Sequence, residues 1–266
     1  MKKRTICLSF DFEECDLPRE SGVDFPIEKG MEVSHAGAEI VLDILKRQGV
    51  RATIFCTLNF AERAPDIIRR ILDEGHELAA HGVDHWHQDE TDPRRCKEGL
   101  ERLTGRTVVG YRQPRMFPVS DAELKAQGYA YNSSLNPAFV PGRYAHRTRP
   151  RRPFVKEGLL QIPASVVPVI RFPLFWLALH LLPEGFYRML VRLTLAWDGR
   201  FVTYFHPWEF YPGLGDHPEW KIPGMIRRHA GRPLAERLAR FIAAFKASGA
   251  EFRTLAEEAE ELNGQH

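Results

Sequence analysis

The chain has little with which to staple or anchor itself. Of 266 residues only four are cysteine, Cys7, Cys15, Cys56 and Cys96, and no two stand at Cys-x-x-Cys spacing. With two of the four inside apolar runs, this reads as buried, reduced thiols in a reducing compartment and argues against a disulfide framework. No run reaches the ~18 uncharged apolar residues of a spanning helix. The basic start Met1-Lys2-Lys3-Arg4 is followed by Asp11, Glu13 and Glu14 without an apolar stretch or small-residue cleavage site, so no signal peptide is expected and the chain reads as cytoplasmic, at or near the inner membrane face. Charge of one sign is also missing. The net +2 is the remainder of 37 basic and 35 acidic side chains, which gives no general reason to bind nucleic acid. There is no internal repeat, no low-complexity segment, and no His-Glu-x-x-His of the metalloprotease kind.

What is present is enough apolar sequence, 44% against 27% charged, for one large core. A single domain over 1–266 is expected, with a basic loop and an apolar insertion at about 140–197. Thr5 to Phe10 reads as a strand, Ala36 to Gln48 as a helix stopped by Gly49, Ala52 to Thr57 as a strand, Ala64 to Glu74 as a helix, and Glu77 to Ala80 as a strand delivering His81. The alternation continues through Val108 to Arg112, a helix near Asp121 to Gln127, Tyr129 to Tyr131, and Phe201 to Phe205 ending at His206. A closing helix, Leu234 to Ser248, and a strand at Glu251 to Arg253 follow. This order predicts an α/β fold with a parallel sheet or barrel, in which Asp11, His81, Arg112 and His206 each fall just beyond a strand and share one mouth.

The chemistry concentrates in four segments. Behind Gly75 and His76 come His81 and His85, an i, i+4 pair that on one helical turn aims two imidazoles at one divalent metal. Asp11 and Glu13 alternate with Phe10 and Phe12, which puts both carboxylates on one face of a strand. Two such acids can divide labour, one holding a cation and one taking a proton, or can be solvated at a strand end. Arg112 in Tyr111-Arg112-Gln113-Pro114-Arg115 suits orientation of a carboxylate, or a surface position. His206 in Phe205-His206-Pro207-Trp208-Glu209 is a candidate general acid, or a strand cap.

Together these segments resemble the polysaccharide deacetylase superfamily, carbohydrate esterase family four, over about residues 4–135 and 198–256. The resemblance implies a distorted (β/α) barrel that removes N- or O-acyl groups from sugars with a divalent metal: zinc, cobalt, nickel or manganese. His81 and His85 match the family's His-x-x-x-His signature. Asp11 falls on its first aspartate, the catalytic base. Arg112 and Pro114 fall on the arginine-proline motif that orients the base, and His206 on the late histidine that protonates the leaving group. Three positions depart. Phe12 stands where most members have a second aspartate, and Glu13 is the expected third metal ligand beside His81 and His85. Such Asp-x-Glu forms occur in a branch that includes peptidoglycan deacetylases and exosortase-locus deacetylases. Tyr131-Asn132-Ser133-Ser134 resembles that branch's Asp-Ser-Ser with asparagine for aspartate, and the motif that tunes the late histidine is altered. A backbone N–H near Arg115 or Met116 is expected at the acyl oxygen.

Arg143, Arg147, Arg149, Arg151 and Arg152 crowd one loop ahead of the apolar stretch Val166 to Leu179. The pairing suits a phosphate and an acyl or polyprenyl chain, hence a carbohydrate or glycolipid substrate and a peripheral membrane contact. A solvated loop and a packing segment are the plain alternative. Pro114, Arg115, Trp86 and Trp208 are the expected substrate contacts; Trp and Tyr near motifs also serve as packing residues. Two rival functions stand beside the sugar deacylase: a hydrolase of non-sugar linear or cyclic amides, and a non-catalytic carbohydrate- or lipid-binding descendant.

Overall fold

Eight consecutive residues at Thr5–Phe12 are buried, and a strand without an exposed face needs cover on both sides. The computed structural model, which describes residues 4–90, 92–140, 144, 145 and 148–264, makes this segment an interior strand of a mostly parallel sheet. The strands are β1 (Thr5–Phe12), β2 (Thr53–Cys56), β3 (Glu77–Ala80), β4 (Gly110–Tyr111), β5 (Tyr131–Asn132), β6 (Phe139–Val140), β7 (Tyr144–Ala145), β8 (Phe154–Lys156), β9 (Leu159–Gln161), β10 (Arg200–Phe205) and β11 (Glu251–Phe252). Their order is β10-β1-β2-β3-β4-β5-β9-β8, with β11 beside the start of β1 and β6–β7 a separate ribbon. Neighbours on the main path run parallel except β8 and β9.

The sheet curls without closing. From β9 the chain crosses toward β10: the Ile162 N–H donates to the Asn132 carbonyl, Ala164 to Leu135, and Ser165 to Val202 at 2.8 Å. The product is the distorted half-barrel of an α/β fold, as the sequence led us to expect. Of the five arginines read as one basic loop, Arg143 and Arg147 lie outside the described residues, while Arg151 and Arg152 both pair with Asp198.

The helices are α1 (Leu17–Glu20), α2 (Ile27–Gln48), α3 (Leu58–Arg63), α4 (Pro65–Asp73), α5 (Asp92–Thr104), α6 (Asp121–Ala126), α7 (Trp176–Leu181), α8 (Glu184–Asp198), α9 (Gly224–Arg227), α10 (Arg232–Ala247) and α11 (Leu255–Asn263). Helix α2 begins nine residues before the expected Ala36 and ends at Gly49, whose φ of 60° closes the last turn. It buries Val33, Val41, Leu42 and Leu45 and crosses the turn after β10 at Gly37, where a Cβ would stand 1.8 Å from the Pro207 carbonyl oxygen. The apolar stretch of 166–179 is split between environments. Val166, Val167, Leu174 and Phe175 are buried, whereas Val169 and Ile170 are 75% and 62% exposed.

Candidate metal centre and active site

Parallel strands deliver their C-terminal residues to one rim. Here β1 brings Asp11 and, just past its end, Glu13; β3 brings His81, β4 Arg112, β5 Asn132 and β10 His206. The alternation of β1 sends Phe12 the other way, into the core against Phe60 with ring centroids 5.7 Å apart. His81 and His85 do not share a helical turn: the segment between them is a loop bent at Gly82, φ 77°. Pro114 packs on that glycine, where a Cβ would approach its ring to 3.0 Å. The upstream His76 precedes β3, at the opposite end of the strand, and its Nδ1 accepts the Ala52 N–H.

Each imidazole of the pair is fixed from behind. His81 Nδ1 lies 2.9 Å from the Arg112 carbonyl, an atom that only accepts, so Nδ1 carries the hydrogen. His85 Nδ1 lies 2.8 Å from Asp16, a carboxyl held below its usual range, against burial, by His85 and Arg115. Both Nε2 atoms therefore turn toward Glu13 Oε2, at 3.1 and 3.4 Å. In neutral rings with Nδ1 protonated, Nε2 offers a lone pair, so three acceptors crowd one point. A shared cation satisfies all three. Glu13, His81 and His85 each offer one ligand atom within 4.8 Å of the others, and all three are buried. Two nitrogens and an oxygen with anchored second nitrogens are a donor set that fits a borderline divalent ion. Burial, and after it the nearby Asp16, Asp11 and Glu14, push the Glu13 carboxyl well up, with only His85 opposing.

Asp11 is the second carboxylate of the pair and faces a different partner. Arg112, with no exposed surface, donates from Nη1 to Asp11 at 2.5 Å and to Ser9 at 3.0 Å, while Nε and Nη2 are held by Ser133. The guanidinium lies over the Phe55 ring at 4.1 Å. Burial pushes the Asp11 carboxyl up, but Arg112, His81 and His206 outweigh it and leave an ionised acid. Asp11 is 4.0 Å from His81 Nε2.

His206 lines the same cleft of about 660 Å³ as Asp11, Glu13, His81 and His85. Its ring stacks on Trp208 at 4.9 Å, and its Nδ1 and backbone N–H both donate to Glu209 Oε1, at 2.9 and 2.6 Å. Glu209 thus occupies the place the altered tuning motif left open. Of the expected substrate contacts, Arg115 and Trp208 line this cleft. Trp208 is 3% exposed and packs on His206. Pro114 is buried on Gly82. Arg115 lines the cleft, but its guanidinium pairs with Asp16 at 2.6 Å and with Glu20. Trp86, 41% exposed, receives the Arg115 guanidinium over its ring at 5.5 Å. Arg115 and Met116 both hold positive φ, 55° and 53°, and the Met116 N–H is bonded to Gln113. The sequence reading missed Asp16, Glu14, which fixes the His85 N–H and Thr57, and Glu209. Only Glu209 had a signal, three residues past His206 in the same turn.

Residues 1–131 match the family model described as Polysaccharide deacetylase. A peptidoglycan deacetylase of Helicobacter pylori is 28% identical over 125 residues, 43% of this chain and 43% of that protein. A chitooligosaccharide deacetylase of Bradyrhizobium is 32% identical over 133 residues, 49% of this chain and 58% of that protein. The chain thus spans about half the length of these curated relatives. A crystal structure described as a putative polysaccharide deacetylase from Mycobacterium smegmatis superposes with a TM-score of 0.69 at 22% identity, covering 99% of this chain and 91% of that one, which shows the NodB-like fold. Residues 1–131 thus resemble the polysaccharide deacetylase family in sequence, and nearly the whole chain shares the fold of that solved structure.

Proposed function

We propose that the protein is a metal-dependent hydrolase that removes an N-acyl group, acetyl or formyl, from an amino sugar in a glycan or lipid-linked saccharide, within the Asp-x-Glu branch of its family. One observation carries the reading: two imidazoles with anchored Nδ1 atoms converge on Glu13 beside an ionised Asp11 clamped by a buried Arg112. Glu13, His81 and His85 would hold the cation, for which zinc, cobalt, nickel and manganese suit the donors. When bound, the metal supplies acidity to a water and an electrophile for the acyl oxygen. Asp11 takes the proton of the attacking water, and Arg112 keeps that carboxylate aimed and charged. His206 gives its proton to the departing nitrogen, which is otherwise a very poor leaving group. Trp208 and Glu209 hold the His206 ring.

Replacing His81 and His85 with alanine tests this directly. The double variant is expected to lose bound metal and deacylation together, and a fully active one ends the assignment. The amide-hydrolase alternative is separated by a panel of N-acyl sugars against linear and cyclic amides. A binding module that is not an enzyme need not keep a tight divalent site, so metal titration separates that one.

A peripheral membrane contact belongs to the same reading. Among the described residues no helix is long and apolar enough to cross a membrane. On α8, however, Phe186, Met189, Leu193 and Trp197 are each 45–53% exposed along one helical stripe, with Arg188 and Arg192 on the same helix and Arg152 bonded to the Trp197 carbonyl. Such a face suits an anionic bilayer surface. Vesicles containing anionic lipid should carry the protein up a flotation gradient, and the change Leu193→Glu with Trp197→Glu should leave it in solution.

A further inference from the structure

His180 sits on α7, outside every motif that the function uses, yet its ring reaches the site through one carboxylate. Glu209 has no exposed surface, nor has His180. The carboxylate is shared between two imidazoles: Oε1 receives the backbone N–H and Nδ1 of His206, and Oε2 stands 2.9 Å from His180 Nε2. Because the His206 backbone N–H can only donate, Oε1 is an acceptor, and an ionised Glu209 takes donors on both oxygens. The Trp176 indole meets His180, His206 and Trp208 edge-on, with centroids 5.7, 5.6 and 5.6 Å away, and so packs against both imidazoles that share the carboxylate. Behind His180, its carbonyl accepts from His229 Nδ1 and from Arg237 Nη1, which fixes the end of α7.

The charged groups around this pair favour one protonation pattern. Burial, and then Arg237, press His180 down to about 4, so the ring stays neutral with a single N–H. Its Nδ1 is buried and meets no hydrogen-bond partner, whereas Nε2 faces the carboxylate at 2.9 Å, which places that hydrogen on Nε2. Burial pushes Glu209 up to about 7, while His206 draws it down and Asp11 adds to the rise. A buried carboxylate so balanced depends on each N–H that it receives.

We propose that His180 is a positioning residue for the deacylation: its ring N–H holds the Glu209 carboxylate ionised and facing His206, so that His206 keeps the proton it must deliver. The inference rests on the reading of His206 as the general acid. Removing the donor favours the neutral form of Glu209, and the single proton shared by the two groups moves from imidazole to carboxyl.

Two variants and a measurement that needs no turnover test this. His180→Leu removes the donor, whereas the side-chain amide of His180→Gln keeps one. In the wild-type chain, nitrogen-15 NMR of the metal-free protein should find His180 neutral and protonated on Nε2 from pH 5 to 8. In His180→Leu the His206 midpoint should fall by about one pH unit, a tenfold smaller imidazolium fraction above it. The alkaline limb of kcat/KM should follow, with KM unchanged, and His180→Gln should restore most of both. A folded His180→Leu protein with an unmoved His206 midpoint overturns the proposal. So does a wild-type His180 that titrates between pH 5 and 8, a result available even where the leucine variant fails to fold. A wild-type protein inactive on every N-acyl sugar removes the functional reading instead, and the His206 midpoint then reports on the coupling alone.

Discussion

Arg112 makes four hydrogen bonds inside the protein, to Asp11, Ser9 and Ser133, and is stacked on Phe55. Its cation is what allows Asp11 to stay charged while buried, so the two side chains stand or fall together. Breaking a buried ion pair from one side costs about 3–5 kcal/mol, because the remaining charge has no partner. The change Arg112→Met should therefore lower stability by that order in urea unfolding and remove deacylation. The pH dependence should also turn over. In the wild type, the Asp11 carboxyl lies below its ordinary range, so its stabilising contribution is complete above the unfolded carboxylate pKa and fades only as pH falls through the folded value. Without Arg112, burial sets the direction and the folded value rises. The Asp11 contribution then becomes unfavourable as pH climbs, and the stability gap between wild type and variant should be wider at pH 7.5 than at pH 4.5.

At the scale of the element, α2 and the turn after β10 are pressed together at Gly37, where a methyl group would lie 1.8 Å from the Pro207 oxygen. Backbone cannot yield cheaply, so the turn holding His206, Trp208 and Glu209 must shift. We expect Gly37→Ala to cost about 1–3 kcal/mol in thermal or urea unfolding, the usual price of overpacking, and to lower kcat with metal content unchanged, which distinguishes it from loss of a ligand. This contact also marks what a sequence reveals. Asp11, Glu13, His81, Arg112 and His206 were legible because each lies at or just past the end of a short apolar run, and parallel strands deliver such ends to one rim. Helix α5 was not legible, since its buried face rests on Cys96, Gly99 and Leu100 amid charges, too few apolar positions to set a period. The early start of α2 was hidden by Gly30 and by the charged residues of its first turns. Strands β8 and β9 and helix α7 were obscured in the same way, by a loop full of arginine and a stretch apolar on all sides. Asp16 and His180 were illegible for another reason: their roles come from partners 69 and 29 residues away, His85 and Glu209, which no local pattern records.

For the molecule as a whole, the site is a place where folding has gathered charge that it cannot solvate. Asp11, Glu13, Glu14 and Asp16 are all buried within six residues of chain, and the Nε2 atoms of His81 and His85 both face Glu13 Oε2. Arg112 answers Asp11, and Arg115 with His85 answers Asp16, which leaves Glu13 to the cation. A ligand that binds only the folded chain stabilises it by RT ln(1 + [L]/Kd), about 2.7 kcal/mol at a hundredfold excess over Kd. For a chain of this size that amounts to about 5 °C or more in Tm. Stripping zinc-loaded protein with a chelator should lower Tm by that order at pH 8. The drop should shrink toward pH 6, because protons compete for both imidazoles and weaken the metal-bound state. Re-adding zinc should restore Tm in the wild type and leave a His81→Ala, His85→Ala protein unmoved. A chelated protein that melts where the loaded one does, at every pH, would mean that Glu13 has found its counter-charge elsewhere and that these three side chains hold no metal.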